Sequence, residues 1–298
     1  MKINYNGVEQ GVFKSALHTH TTNSDGKFSP EEVIGLYQKK GYDVLAFTDH
    51  RKTNPVSSYD GKNMTLLSGI ELHPAGPRDI RWHILGLGVP ENFSGCDPAS
   101  GQEAVDAVLD SGGVAFAAHP YWCGFTAAEV ASLKGISGIE VYNSSCRYIG
   151  KEYNMSYWDE LLDAGCRYSA LAVDDVHRPH DLFRGFTMII APDKSPQSLI
   201  NALRNGDFYA SQGPLFTSLN FNGGVISADF TASVAAVCCM RRSSGRCVAV
   251  EDNDGPGSGN KEVTHLEFDL GDIHDQYIRI QLRDADGRMA WSNPFYLK

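Results

Sequence analysis

The sequence has no apolar window approaching the roughly 18 residues that a membrane span needs. Its opening, MKINYNGVEQGVFKSALHTH, lacks the basic start and apolar run of a secretory leader. A cytoplasmic chain with no membrane association is the expectation. An excess of positive charge is also missing, since 26 Lys and Arg stand against 36 Asp and Glu, a net charge of −10. Such a field repels polyanions, so a stable nucleic-acid complex is not expected. The seven cysteines, at 96, 123, 146, 166, 238, 239 and 247, are an odd number with no CxxC pair and read as reduced thiols. The sequons at Asn63, Asn92, Asn143 and Asn154 would matter only in a secreted chain. No internal repeat and no low-complexity block is visible.

What is present is a globular composition. With 298 residues, 42% of them hydrophobic, the chain can bury a real core in one barrel-sized domain and a small companion. From residue 13 to about 210, β-rich runs at 13–20, 43–49, 65–72, 82–88, 113–118, 138–143, 168–174 and 185–191 alternate with amphipathic stretches of helical length. That alternation is the pattern of strands joined by crossover helices, and so many units imply a closed β/α barrel. The clearest helix opens at Ser29, where S-P-E-E supplies an N-cap, a proline in the first turn and Glu32 for a capping box. It should stop near Gly41. SPQSLINALRNG at 195–206 repeats the pattern. After SQGP at 211–214 the helical period gives way to alternating runs such as YIRIQL, leading into the turn-like DADG, so residues 1–214 read as a barrel and 215–298 as a small antiparallel β module. The Gly-rich DNDGPGSGNK at 252–261 reads as a flexible loop within that module.

The chemistry concentrates at strand ends. His18 and His20 stand two apart in LHTH, a spacing that puts both imidazoles on one face of a strand. Asp25 follows in NSDG, His50 ends FTDH, Glu71 ends SGIEL, His83 opens HILGLG, His119 follows VAFAA, and Asp175 and His177 follow YSALAV. Each has an ordinary explanation when taken alone, as a turn residue, a helix cap or a loop histidine. Together, nine ligand-type side chains on one barrel rim would leave many half-buried polar groups without partners unless metal ions satisfied them. In the DDVH run, Asp175 shares a face with His177 while Asp174 points away, which makes Asp175 the ligand and Asp174 a buried hydrogen-bonding group. His73 would share the face of Glu71 if the strand continued, but Pro74 interrupts it. His180, His265 and His274 carry no pattern and read as surface residues.

The series HTH, SDG, TDH, GIEL, H, AHP and DVH over about residues 13–215 resembles the PHP family (polymerase and histidinol phosphatase). The resemblance implies a distorted (β/α)7 barrel, up to three divalent metals and metal-dependent phosphoesterase activity. It further implies that His18, His20, Glu71 and Asp175 share one metal. Glu71 would bridge to a second ion held by His83 and His119, and Asp25, His50 and His177 would form a third site. FYASQGP and AWSNPFY resemble segments of a branch that carries a C-terminal β module.

Imidazole and carboxylate donors without thiolate suit Mn, Fe or Zn in open coordination. The expected reaction is attack on phosphorus by a hydroxide bridging two metals, with Glu71 and Asp175 as the catalytic carboxylates. Arg147, Arg178 and Arg184 lie near the rim in sequence and are candidate phosphate ligands, with Asn143 a further polar contact. Asp49 is a candidate proton donor or, equally, a cap. Tyr121, Trp122 and Phe125 either contact substrate or pack a helix start. The twelve-residue step from Glu71 to His83 leaves no room for a helical lid. The expected substrate is a small phosphorylated metabolite, a nucleotide or a sugar phosphate. The competing readings are an amidohydrolase-type hydrolase, for which a bridging lysine at a strand end is missing, and a noncatalytic metal-stabilised regulatory module, which would have lost ligands. Oligomeric state is not legible.

Overall fold

The structure is a computed structural model that describes residues 1–250, 261–271 and 277–297. Most of the 252–261 loop and His274 therefore lie outside the described residues.

A hairpin of β1 (Lys2–Tyr5) and β2 (Val8–Ala16) leads into β3 (Val44–Phe47) and β4 (Thr65–Leu72), and β2, β3 and β4 pair in parallel. Next come β5 (Ile84–Leu87), β6 (Val114–Ala117), β7 (Gly138–Asn143) and β8 (Ser169–Val173). Here the arrangement departs from uniform strand–helix alternation, because β5 runs antiparallel to both β4 and β6. The eleven residues between β4 and β5 hold no α-helix to carry the chain back, so the strand returns in the opposite sense. That reversal explains why His83 precedes its strand and still reaches the rim where the other ligands follow theirs.

The ring from β2 to β8 does not close along its whole height. The two ends meet where Thr19 bridges Val176, with His20 N donating to Val176 O and Asp175 N to His18 O. Lower down β9 (Phe186–Ala191) lies antiparallel to β2, and Thr187 Oγ1 ties it to both the amide and the carbonyl of Ala172 on β8. The result is a distorted barrel whose strand ends carry the histidines at one rim.

Helix α1 (Pro30–Lys39) has the Ser29 N-cap and Glu32 capping box read from the sequence, and Gly41 follows with φ of 70°. Helix α2 (Gly101–Asp110) packs on β5 and β6, α5 (Met155–Asp163) packs on β7, α4 (Ala127–Ser132) packs on α5, and the short α3 (Pro120–Cys123) follows His119 at the rim. The last, α6 (Pro196–Asn205), packs Leu199, Ile200 and Leu203 against the interior residues Leu67, Leu85, Leu87, Phe116 and Leu171. The interior is a filled core, so ligands are admitted only at the rim.

Beyond α6, β10 (Phe208–Ser211) pairs with β9 and leads to antiparallel strands: β11 (Phe216–Asn222), β12 (Val225–Ser233), β13 (Ala235–Met240), β14 (Gly245–Ala249), β15 (Val263–Asp269), β16 (Tyr277–Arg283), β17 (Met289–Ser292) and β18 (Phe295–Tyr296). The β16 strand and the Asp284–Arg288 turn fall where YIRIQL and DADG indicate. This C-terminal layer joins the barrel twice, through β1 paired with β11 and through β10 paired with β17. Arg279 is buried on β16, makes a bidentate pair with Asp159 of α5 at 2.8 and 2.7 Å, and stacks on Trp158.

Candidate metal centre

The rim gathers all nine ligand-type residues picked out by sequence. His18 and His20 follow β2 with ring centroids 5.0 Å apart. Their Nε2 atoms lie 3.5 and 3.4 Å from Glu71 Oε2 and 3.3 and 3.1 Å from Asp175 Oδ1. The other oxygen of Glu71 is 2.8 Å from His83 Nδ1 and 3.2 Å from His119 Nε2. Glu71 therefore stands between two groups of imidazoles, one oxygen toward each. A third group forms at the mouth, where Asp25 Oδ1 is 3.4 Å from His50 Nε2, 3.3 Å from His177 Nε2 and 3.9 Å from His20 Nδ1.

Burial is graded through this cage. His18, His20, Glu71, His119 and Asp175 are buried, His50, His83 and His177 are partly covered, and Asp25 is exposed. The centre is thus open to solvent on the Asp25 side. Two ligands sit in backbone conformations that L-residues seldom adopt, His119 with φ of 27° and Asp175 with φ of 51°. Such strain persists where surrounding structure over-determines it, which is common at functional sites.

Interactions outside the cage hold its residues in place. Glu140 on β7, which the sequence reading passed over, meets His18 Nδ1 at 2.6 Å and accepts from the His119 amide at 2.9 Å and from Asn143 Nδ2 at 2.8 Å. Its signal was a lone carboxylate inside the apolar strand GIEVYN. Asn143 also donates to Asp175 Oδ2 at 3.0 Å, so this amide links two carboxylates of the site. Asp49 accepts from Thr21 N, Thr21 Oγ1, Ser24 Oγ and Asn54 Nδ2, which locks the loop carrying Asp25. In that loop Gly26 has no alternative, because a Cβ there would run into the His20 carbonyl. Asp174 faces away from the cage and accepts from Tyr37 Oη and the amides of Phe183, Arg184 and Gly185. Burial pushes its pKa up to about 6 against those four donors.

The three arginines lie around His180 and Tyr148. Arg147 donates to Ser144 O, His180 O and Tyr148 Oη, Arg184 Nε donates to His180 O, and Arg178 lies over the Tyr148 ring. Trp122 is exposed and stands edge-on to His83 and His119, with centroids 5.6 and 5.1 Å away. Tyr121 is also exposed, whereas Phe125 is buried and stacks on Trp82 at 3.8 Å, so it packs the core. Cys123 Sγ lies 3.5 Å from His119 Nδ1. His180 and His265 are exposed.

Electrostatics fit a cation-binding centre. Burial disfavours charge on the His18 ring, but Asp175, Glu140 and Glu71 around it overcome that and raise its pKa well above the usual range. Burial likewise opposes ionisation of Glu71, yet His83 and His18 hold it well below the ordinary carboxylate value. For His20 burial wins, and its pKa falls to about 4, leaving a neutral ring. The decisive test of fit lies in the atoms without partners. His18 Nε2, both ring nitrogens of His20, His50 Nδ1, His73 Nε2 and Asp175 Oδ1 are buried and make no hydrogen bond. Unpartnered buried polar atoms are rare in folded proteins because each is costly, and divalent cations would satisfy these. The nitrogen and oxygen donors present fit that role.

No protein-family model matches the chain. An uncharacterized protein of Methanocaldococcus jannaschii is 28% identical over 146 residues, covering 44% of this chain and 82% of that one. The phosphoribosyl 1,2-cyclic phosphate 1,2-diphosphodiesterase of Eggerthella lenta is 35% identical over 80 residues, and the DNA polymerase/3'-5' exonuclease PolX of Bacillus subtilis is 49% identical over 43. The matches cover 25% and 14% of this chain and only 30% and 8% of those two relatives. Among solved structures, a two-domain Bacteroides vulgatus protein containing a predicted PHP-like metal-dependent phosphoesterase superposes with a TM-score of 0.56 at 14% identity, over 96% of both chains. The chain thus shares its fold along almost the whole length with that two-domain protein, and its ordered motif series and the cage it builds resemble those of the PHP family.

Proposed function

We propose that the protein is a metal-dependent phosphoesterase that hydrolyses a small phosphorylated metabolite, a nucleotide or a sugar phosphate. The observation that carries this reading is the set of buried, unpartnered imidazole and carboxylate atoms around Glu71 and Asp175. Two or three divalent ions, Mn, Fe or Zn, suit these donors. Bound there, they would supply Lewis acidity toward phosphoryl oxygens and acidify water near neutral pH.

The residues of the chain divide the remaining work. His18, His20 and Asp175 hold the inner side of the cage, His83 and His119 hold the side toward Trp122, and Glu71 spans the two. Asp25, His50 and His177 hold the open mouth. Glu140 fixes the plane of His18 and the backbone of His119, so two ligands on opposite sides of Glu71 keep their spacing. Arg147, Arg178 and Arg184 bring positive charge to the rim, where guanidinium groups match phosphate oxygens. Asn143 keeps the Asp175 carboxylate aimed inward. Trp122 shields the His83–His119 side and gives the leaving group an aromatic surface. The net charge of −10 favours a small substrate over a duplex. A cytoplasmic location is part of the same proposal.

The test is phosphate release from a panel of phosphorylated metabolites by the Mn²⁺-loaded protein, repeated with His20→Ala and Glu71→Ala. At least about a thousandfold loss is expected in both variants, since each removes a group that holds the reacting centre together. Equal turnover in wild type and variants would refute the assignment.

A further inference from the structure

We infer that His73 is an additional metal ligand, binding through Nε2 a divalent cation that Glu71 also holds. The inference deepens the reading of the cage and depends on it. Pro74 ends the ladder of β4, but it does not turn His73 away from the site. Trp82 N donates to Pro74 O at 3.0 Å, and Ala75 forms an antiparallel bridge with Arg81. These contacts hold the segment after β4 against the approach to β5, so His73 and His83 face each other with centroids 4.1 Å apart. On its other side the His73 ring lies 4.3 Å from His50. The ring is packed between two imidazoles.

His73 Nε2 lies 3.4 Å from Glu71 Oε2, and the atom is buried without a hydrogen-bond partner. Donor atoms of His50, Glu71 and His73, one from each, lie mutually within 4.8 Å, a spacing that suits donors around one ion. His50 is shared, since its Nδ1 lies 2.7 Å from Glu71 Oε2 while its Nε2 lies 3.4 Å from Asp25 Oδ1 in the group at the mouth. His73 has no such second duty. It also lines a cavity of about 420 Å³, with Arg51 and Arg81 on the walls.

The experiment is a titration of the full-length, chelator-stripped protein with Co²⁺, followed by calorimetry and by visible absorption, in wild type, His73→Ala and His73→Gln. The exposed, distant imidazole variant His265→Ala serves as control. The expected result is that one bound ion is weakened at least tenfold and its absorption altered in both His73 variants, while the control matches wild type. Isotherms and spectra that superimpose on wild type would overturn the inference and leave the nine-residue cage standing. A wild-type protein that takes up no Co²⁺ would overturn the cage itself, and the inference with it. An arm that needs no substitution uses wild type labelled with 15N-histidine. On adding Zn²⁺, the His73 ring nitrogens, assigned through the backbone, should move to the metal-bound range, and their failure to move while those of His18 and His119 do would reject the ligand role.

Discussion

At the residue scale, the cage works because each donor atom is aimed by a neighbour. His18 is the clearest case. Its Nε2 faces Glu71 and Asp175, while its Nδ1 is held by Glu140 at 2.6 Å, which fixes tautomer and ring plane together. Glu140→Gln keeps the shape but offers one acceptor oxygen where two now serve His18, the His119 amide and Asn143. Metal affinity should fall about tenfold to a hundredfold with the fold retained, measured by calorimetry and circular dichroism. Unchanged affinity would mean that Glu140 is a passive buried acid. The two kinds of residue were not equally legible in the sequence. His18, His20, Glu71 and Asp175 stand out because ligand-type side chains at strand ends break an apolar pattern in a repeated position. Glu140 sits alone within its strand, and nothing local ties it to residues 122 and 21 positions away. His73 was masked by Pro74, whose effect on the strand depends on the bridge between Ala75 and Arg81.

At the element scale, strand register decides whether the ligands meet. β7 and β8 are parallel, with Gly138 opposite Ser169 and Asn143 opposite Val173, and this pairing sets Glu140 and Asn143 beside Asp175. Gly138 is required at that crossing because a Cβ would run into the Ser169 carbonyl. Gly138→Ala should destabilise the protein by about 3 kcal/mol or more, since backbone rather than a mobile side chain would have to yield. Urea denaturation measures this, and a loss below about 0.5 kcal/mol would show that the two strands can separate without consequence. The strands were readable because their β-rich runs are bounded by turn residues, and α1 and α6 because their serine caps and terminal glycines are local signals. The direction of β5 was not readable. A short apolar run looks the same in either sense, and only the missing crossover helix separates the two. The strand expected over 13–20 also ends at Ala16, short of the histidines, and nearer the rim Thr19 is held by Ala46 O, by Thr48 and by the bridge to Val176.

At the scale of the whole molecule, the fold delivers residues from position 18 to position 177 to one mouth and closes the opposite end with α6. The C-terminal strands are tied to the barrel through β1, β10 and the Arg279–Asp159 pair, so the layer contributes to the support of the barrel wall. In the metal-free chain the cage retains buried polar atoms without partners, and ion binding should therefore stabilise the fold. At a cation concentration a hundredfold above the dissociation constant, linkage gives about 2.7 kcal/mol for one site. The measurement that most directly tests the account is the metal content of the folded protein after equilibrium dialysis against Mn²⁺, determined by elemental analysis alongside its Tm. The account predicts two or three ions per chain and a Tm several degrees above that of the chelated protein, with both effects largely lost in Glu71→Gln. A chain that retains no ion and melts at the same temperature with and without Mn²⁺ would contradict it.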